Sequence, residues 1–307
     1  MIIRNFLTAL LASFALAAPL LAIDVAALAS KRIVFLGDSI TQDGLYVGYT
    51  AYFLNRLYPE KNFDLISLGL SSETLSGLSE EGHAGGAFPR PCLSERLGRV
   101  LEKAKPDAVF ACYGINDGIY LPLDEQRFAA FRDGVEQLIA RCKAADVKEI
   151  FLVTPPIFDA PPDDPTQYDA VMAAYAAWQV SLKIPNVHVI DLHTAMREAR
   201  DARKEPFSKD KVHPGEEGHL LMARTILSGI GVATPDDSPA TITRDLLFAK
   251  VNQQRKHRST SWMEHIGYTR EKTVTPRPLG DTETQTAAMQ KEIDALRRGV
   301  PAPPGMP

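Results

Sequence analysis

Ser39 lies in Gly37-Asp38-Ser39-Ile40, directly after the apolar run Ile33-Val34-Phe35-Leu36. A serine hydroxyl is a weak nucleophile until a base takes its proton. Acyl transfer then needs a base of near-neutral pKa, a carboxylate to orient it, and donors for the developing oxyanion. The chain offers each of these. Asp210 and His213 stand three apart in Asp210-Lys211-Val212-His213-Pro214, so one loop can supply acid and base. Asp210 can then reach His213 while the imidazole faces Ser39. Asn116, in Gly114-Ile115-Asn116-Asp117, follows the apolar run Ala108-Val109-Phe110-Ala111 and offers a side-chain amide. Asp38 is expected to brace its own turn, Asp117 to cap a loop or helix, and His219 to be structural. His83, His188, His193, His257 and His265 show no metal-ligand spacing. The chemistry requires no metal and no cofactor, so none is expected.

These groups need a scaffold that brings their loops together. Strand-like runs recur at Ile33 to Leu36, Phe63 to Leu68, Ala108 to Tyr113, Ile150 to Thr154 and Val187 to Leu192. Helical patterns fall between them, over Thr50 to Tyr58, Leu93 to Ala104, Asp124 to Ala145, Tyr168 to Leu182 and Gly218 to Leu227. Alternating β and α with near-continuous apolar strands predicts an α/β fold, a parallel sheet covered on both faces. In a sheet of order 2-1-3-4-5 the first three strands are neighbours, and ligands gather at their C-terminal edge. After about Gly231 the character changes. A polar linker, Thr234 to Pro239, leads to an amphipathic helix over Ile242 to Lys256, a turn region with Trp262, His265 and Tyr268, and a helix near Thr284 to Arg297. Trp262 and Tyr268 are expected to anchor this part to the body.

The 307 residues are 45% hydrophobic and 23% charged, enough for one sizeable domain and an appendage. A formal net charge of -4 and no basic stretch give nucleic-acid binding little support. Arg4, the apolar stretch Phe6 to Leu21 and the small residues after it read as an export signal, with Ala27-Leu28-Ala29 and Ala22 as alternative cleavage points. A periplasmic or extracellular protein is expected, with no stable membrane insertion once the signal is removed. Cys92, Cys112 and Cys142 form neither a disulfide framework nor a zinc pattern; one disulfide between two of them is compatible with export.

Taken in order, Gly-Asp-Ser-Ile-Thr at 37–41, Gly114-Ile115-Asn116-Asp117 and Asp210-Lys211-Val212-His213-Pro214 resemble three of the four blocks of the SGNH hydrolases, also called the GDSL esterase/lipase family. The resemblance covers about residues 31–230. It implies a three-layer α/β/α, flavodoxin-like fold with a five-stranded parallel sheet, and catalytic Ser39, Asp210 and His213. The fourth block departs from the pattern. Ser67 to Thr74 aligns with a segment that carries glycine at its sixth position, and here Ser72 stands there. If φ at Ser72 stays negative, its N–H serves the oxyanion hole beside Asn116 and the Ser39 N–H, with Gly69 as the alternative in another register. The Gly- and Pro-rich segment 80–91 leaves from the same edge, so His83, and likewise Tyr120, are candidates for the substrate rim. The expected division is a signal over 1–29, the hydrolase domain over 30–232, a helical appendage over 233–300 and a disordered tail over 301–307. The expected function is ester hydrolysis on a small-molecule or polysaccharide substrate, in particular deacetylation of a carbohydrate. A lysophospholipase- or thioesterase-like acyl hydrolase is the nearest alternative. A non-catalytic carbohydrate-binding module on a degenerate fold is the alternative from another class.

Overall fold

Strands that read as unbroken apolar runs need cover on both faces, and this chain supplies it. The computed structural model describes residues 25–161 and 163–299. Its sheet contains β1 (Arg32–Gly37), β2 (Asp64–Gly69), β3 (Ala108–Cys112), β4 (Glu149–Val153) and β5 (Val187–Ile190), all parallel, in the order β2-β1-β3-β4-β5. Gly37 pairs with Gly69 on one side and with Cys112 on the other, so three strands end level and their loops start from one line. Phe35, Phe110 and Phe151 occupy paired positions and stack across the sheet, with centroids 4.8 and 4.1 Å apart.

From β1 the chain moves one way along the sheet, and from β2 it moves the other way. Right-handed crossovers therefore put the connecting helices on opposite faces. The helix α2 (Leu45–Leu57) follows the short α1 (Ser39–Asp43) and packs against α7 (Glu216–Gly229). The other layer holds α3 (Leu97–Ala104), α4 (Glu125–Ala144) and α5 (Tyr168–Ser181). This is the expected α/β/α architecture. Besides the five-residue helices, α6 (Leu192–Asp201) escapes the sequence patterns; it is capped by Asp191, whose side chain accepts from the Thr194 N–H. It follows β5 after a single residue, so the two apolar patterns merge.

The C-terminal part folds as α8 (Pro239–Thr243), α9 (Leu246–Ile266), a small hairpin of β6 (Tyr268–Thr269) and β7 (Thr273–Val274), and α10 (Thr282–Arg298). The expected helix over Ile242 to Lys256 ends too early. Trp262 and His265 belong to α9, not to a turn. The reason is visible in its buried face, which carries Arg255, Arg258 and Trp262 rather than aliphatic residues alone. Trp262 is an anchor: it is buried, and its Nε1 donates to Glu283 of α10 at 2.8 Å. The expected tail over 301–307 and residues 1–24 of the expected signal lie outside the described residues. Val25 to Leu28 form a short 3-10 turn whose Val25 and Leu28 are buried in the core. All three cysteines are free thiols, and Cys112 and Cys142 are buried.

Candidate active site

The serine is presented by a tight strand-to-helix turn. A side chain at Gly37 would place its Cβ 2.0 Å from Thr41 Oγ1 and 2.8 Å from Cys112 O, so α1 starts this close to β1 only because residue 37 has none. Asp38 caps α1, its Oδ1 accepting from the Ile40 N–H at 3.0 Å. Burial pushes its carboxyl up to about 7, against the pull of that N–H. Ser39 is the first residue of the helix, so its N–H has no intrahelical acceptor.

Asp210 and His213 arrive on the loop before α7. His213 Nε2 lies 2.7 Å from Ser39 Oγ, and His213 Nδ1 lies 2.6 Å from Asp210 Oδ2. The ionised carboxylate can only accept, so Nδ1 carries the proton and Nε2 accepts from the serine hydroxyl. Asp210 Oδ1 accepts from the Val212 and His213 N–H groups at 3.0 and 2.8 Å. Partial burial raises the Asp210 carboxyl, but these bonds and the His213 ring outweigh it and hold the group below its ordinary value. The loop is pinned from the β4 side by buried Asp159. Its N–H donates to Lys211 O at 2.8 Å, and its carboxylate accepts from the Ser208 N–H and Arg200 Nε at 2.9 and 2.6 Å. The His213 and Asp210 side chains are 51% and 57% exposed, so this edge of the sheet is open.

Asn116 follows β3 through Gly114, which has a φ of 127° and no room for a side chain, since a Cβ would sit 2.7 Å from Pro155 Cγ. The Asn116 amide is oriented by three partners. Arg90 Nη1 donates to its Oδ1 at 2.9 Å, the Tyr120 hydroxyl donates to the same oxygen at 3.2 Å, and its Nδ2 donates to Glu73 O at 3.2 Å. An arginine can only donate, which fixes which amide atom is oxygen. Nδ2 keeps a second hydrogen for a ligand. Arg90 is buried and held by Glu80 in a bidentate pair at 2.6 Å, while its guanidinium lies 5.3 Å from the Tyr120 ring centroid.

The loop after β2 corrects one expectation. Ser72 has a φ of 67°, not a negative one. The turn demands the left-handed conformation that glycine takes freely, and serine adopts it at a cost of about 1 kcal/mol. Gly69 ends β2, and a Cβ there would meet Gln42 N at 2.1 Å. His83 sits three residues from Glu80, with its Nδ1 3.4 Å from Glu80 Oε1 and its ring edge-on to Phe88. It thus joins Asn116 only through Glu80 and Arg90, whereas Tyr120 touches Asn116 directly. Asp117 braces the same loop: its Oδ1 accepts from the Leu75 and Ser76 N–H groups, both at 2.8 Å.

Sequence reasoning missed the charged groups beneath this loop. Glu73 and Arg96 are fully buried and paired through two 2.6 Å bonds, with the Tyr113 hydroxyl donating to Glu73 at 2.6 Å and Arg96 Nη2 to Leu68 O at 2.7 Å. The only available signal was an unexplained Glu73 inside the oxyanion block and arginines at 90 and 96. Among the described residues, no group of three or more His, Cys, Asp or Glu side chains is arranged to hold a metal ion.

Residues 35–221 match the model of a family described as GDSL-like lipase/acylhydrolase. An acetylxylan esterase from Geobacillus stearothermophilus is 27% identical over 228 residues, spanning 66% of this chain and 94% of that protein. The solved structure of a variant acetyl-xylooligosaccharide esterase from Geobacillus is 26% identical with a TM-score of 0.51, covering 68% of this chain and 98% of its own. An alpha/beta hydrolase enzyme from the metagenome of Lake Arreo, Spain, is 23% identical with a TM-score of 0.51, covering 67% and 98%, and bears on the fold alone.

Proposed function

The chain belongs to the GDSL-like lipase/acylhydrolase family, and from that premise we propose that it removes short acyl groups, acetyl foremost, from carbohydrate hydroxyls. It is a carboxylic-ester hydrolase of the GDSL type. The observation that carries the finer reading is the Ser39-His213-Asp210 chain, with links of 2.7 and 2.6 Å, standing half exposed at an open edge. An open edge admits an acyl group borne on a polymer or oligomer. A long alkyl chain would instead need a groove to gain its roughly 0.8 kcal/mol per methylene. The names of the two Geobacillus relatives support the same choice.

In this mechanism Ser39 Oγ attacks the ester carbonyl carbon as its proton passes to His213 Nε2. Asp210 stabilises the imidazolium. The Asn116 Nδ2, Ser72 N–H and Ser39 N–H meet the oxyanion. The imidazolium returns the proton to the sugar oxygen, the acyl C–O bond breaks and Ser39 keeps the acyl group. Water then repeats the attack with His213 as base and frees the carboxylic acid.

We also read the chain as exported to the periplasm or beyond. Val25 and Leu28 are buried in the core, so cleavage at Ala22 keeps two core residues that cleavage at Ala29 would remove. N-terminal sequencing of the exported protein decides between them. Among the described residues no helix is long and apolar enough to cross a membrane.

The function is tested by kcat/KM on a chromogenic ester series from acetyl to decanoyl, with acetylated xylo-oligosaccharides alongside. The expected result is a maximum at acetyl, a fall beyond about four carbons, and release of acetate from the sugar. A steady rise to decanoyl would replace this reading with the long-chain one.

A further inference from the structure

The hairpin of β6 and β7 lies outside the family match, yet it reaches the oxyanion loop. Arg270, at its turn, donates from Nε to Ser71 O at 3.1 Å, and its guanidinium lies 4.8 Å from the centroid of the Phe88 ring. The other side of Ser71 is also held, its N–H donating to Gln42 Oε1 at 2.6 Å. The hairpin is itself anchored. From α3, Arg99 donates to Ile266 O and Gly267 O at 2.9 and 3.0 Å, and Lys103 Nζ to His265 O at 2.6 Å.

The contact matters because of the peptide it grips. Glu73 N–H donates to Leu70 O at 3.1 Å, closing a four-residue turn with Ser71 and Ser72 at its centre. Ser72 has a φ of 67°, and Ser71 is not among the residues of positive φ. That is the type II pattern, which calls for glycine at its third position. The type I alternative puts the third residue near a φ of -90°, where serine is unstrained, and it rotates the central peptide by roughly half a turn. That central peptide carries the Ser72 N–H. In a trans peptide the C=O and the following N–H point in opposite directions, so whatever holds Ser71 O aims the Ser72 N–H. Among the described residues that N–H has no protein acceptor, and Ser72 is half-buried, so the donor is left for a ligand. Its neighbour Glu73 supplies the carbonyl that receives Asn116 Nδ2 at 3.2 Å, so the Asn116 amide is tied to the residue that follows Ser72.

We propose that Arg270 is a positioning residue for ester hydrolysis: by gripping Ser71 O it holds the Ser71–Ser72 peptide in the orientation that aims the Ser72 N–H at the oxyanion, offsetting the serine at a glycine position. This rests on the reading of Ser72 as an oxyanion donor. Glycine would hold the turn without help; serine needs a clamp, and the C-terminal hairpin provides it.

The test compares Arg270→Ala, Arg270→Lys, Ser72→Gly, the Ser72→Gly/Arg270→Ala double variant and Ser39→Ala in the full chain, assayed on 4-nitrophenyl acetate with melting temperatures in parallel. Loss of a whole oxyanion donor costs about a hundredfold or more in kcat. Mis-aiming one is expected to lower kcat of Arg270→Ala by about tenfold or more, with KM nearly unchanged and no loss of folded protein. Arg270→Lys, still a donor, should recover part of the rate. In the Ser72→Gly background the same Arg270→Ala change should cost clearly less. The proposal is overturned if Ser39→Ala is inactive while Arg270→Ala stays within about twofold of the parent. It is also overturned if the loss is equal in both backgrounds, or vanishes once corrected for the folded fraction. An active Ser39→Ala would instead remove the underlying site, and the inference with it.

Discussion

Asn116 is the residue whose environment is most specialised for its proposed task. Its oxygen is occupied by Arg90 and Tyr120, and its nitrogen keeps one hydrogen for a ligand. Asn116→Ala should lower kcat by about a hundredfold or more with little change in KM. A lowered melting temperature with full activity per folded molecule would mark the side chain as structural instead. Asp38 makes a prediction in pH. Its carboxyl is pushed up to about 7 from 3.8, with burial the main cause. Between those values the folded state keeps a proton that the unfolded chain releases. Stability therefore falls as pH rises through that window and levels off above about 7. Asp38→Asn keeps an acceptor for the Ile40 N–H and removes this penalty. Its stability advantage over the parent should be absent near pH 4, grow towards pH 7 and reach on the order of a few kcal/mol. Urea unfolding across that range checks it, and an advantage independent of pH would contradict it.

At the scale of elements, α9 governs the exposed side of the sheet. β2 is an edge strand, and an uncovered edge invites pairing with other chains. Here Arg258 Nη1 donates to Leu65 O at 3.0 Å and Ser259 Oγ to Ser67 O at 2.7 Å, so α9 side chains occupy strand carbonyls along the edge. Arg258 also pairs with Asp64 and Glu283 while 5% exposed. Arg258→Ala should destabilise the protein by about 1–3 kcal/mol, less than a fully buried pair because Asp64 is partly solvated. A melting temperature equal to the parent's would contradict this. The same helix shows where the sequence becomes hard to read. The five strands are legible because aliphatic runs have few other uses, Ser39 and Asn116 because each closely follows a strand, and Asp210 and His213 because they stand together just before a helix. The buried face of α9 is partly polar, so no stripe marks its length. Arg90 is invisible as the partner of Asn116, and Glu80 as the partner of Arg90, because a long-range hydrogen bond leaves no periodicity. Ser72 is legible as a departure from the glycine pattern, but its sign of φ depends on Gln42 and on Arg270, 199 residues beyond Ser71.

For the molecule as a whole, the segment outside the family match packs against the part that carries it. Helix α9 packs on both α2 and β2, α10 packs on α9, and Arg297 of α10 donates to Asn62 at 2.6 Å beside the start of β2. Thermal unfolding should therefore be a single transition by calorimetry, and two resolved transitions would show an appendage that melts alone. The claim on which all of this converges is that Ser39 is the nucleophile of an ester hydrolase. It is tested most directly by reacting the full chain with an alkyl fluorophosphonate, following intact mass and residual activity, and mapping the adduct. One adduct per chain is expected, on Ser39, formed in step with the loss of esterase activity and absent from Ser39→Ala. An adduct on another residue, or a Ser39→Ala protein that still hydrolyses acetyl esters at the parent rate, would contradict it.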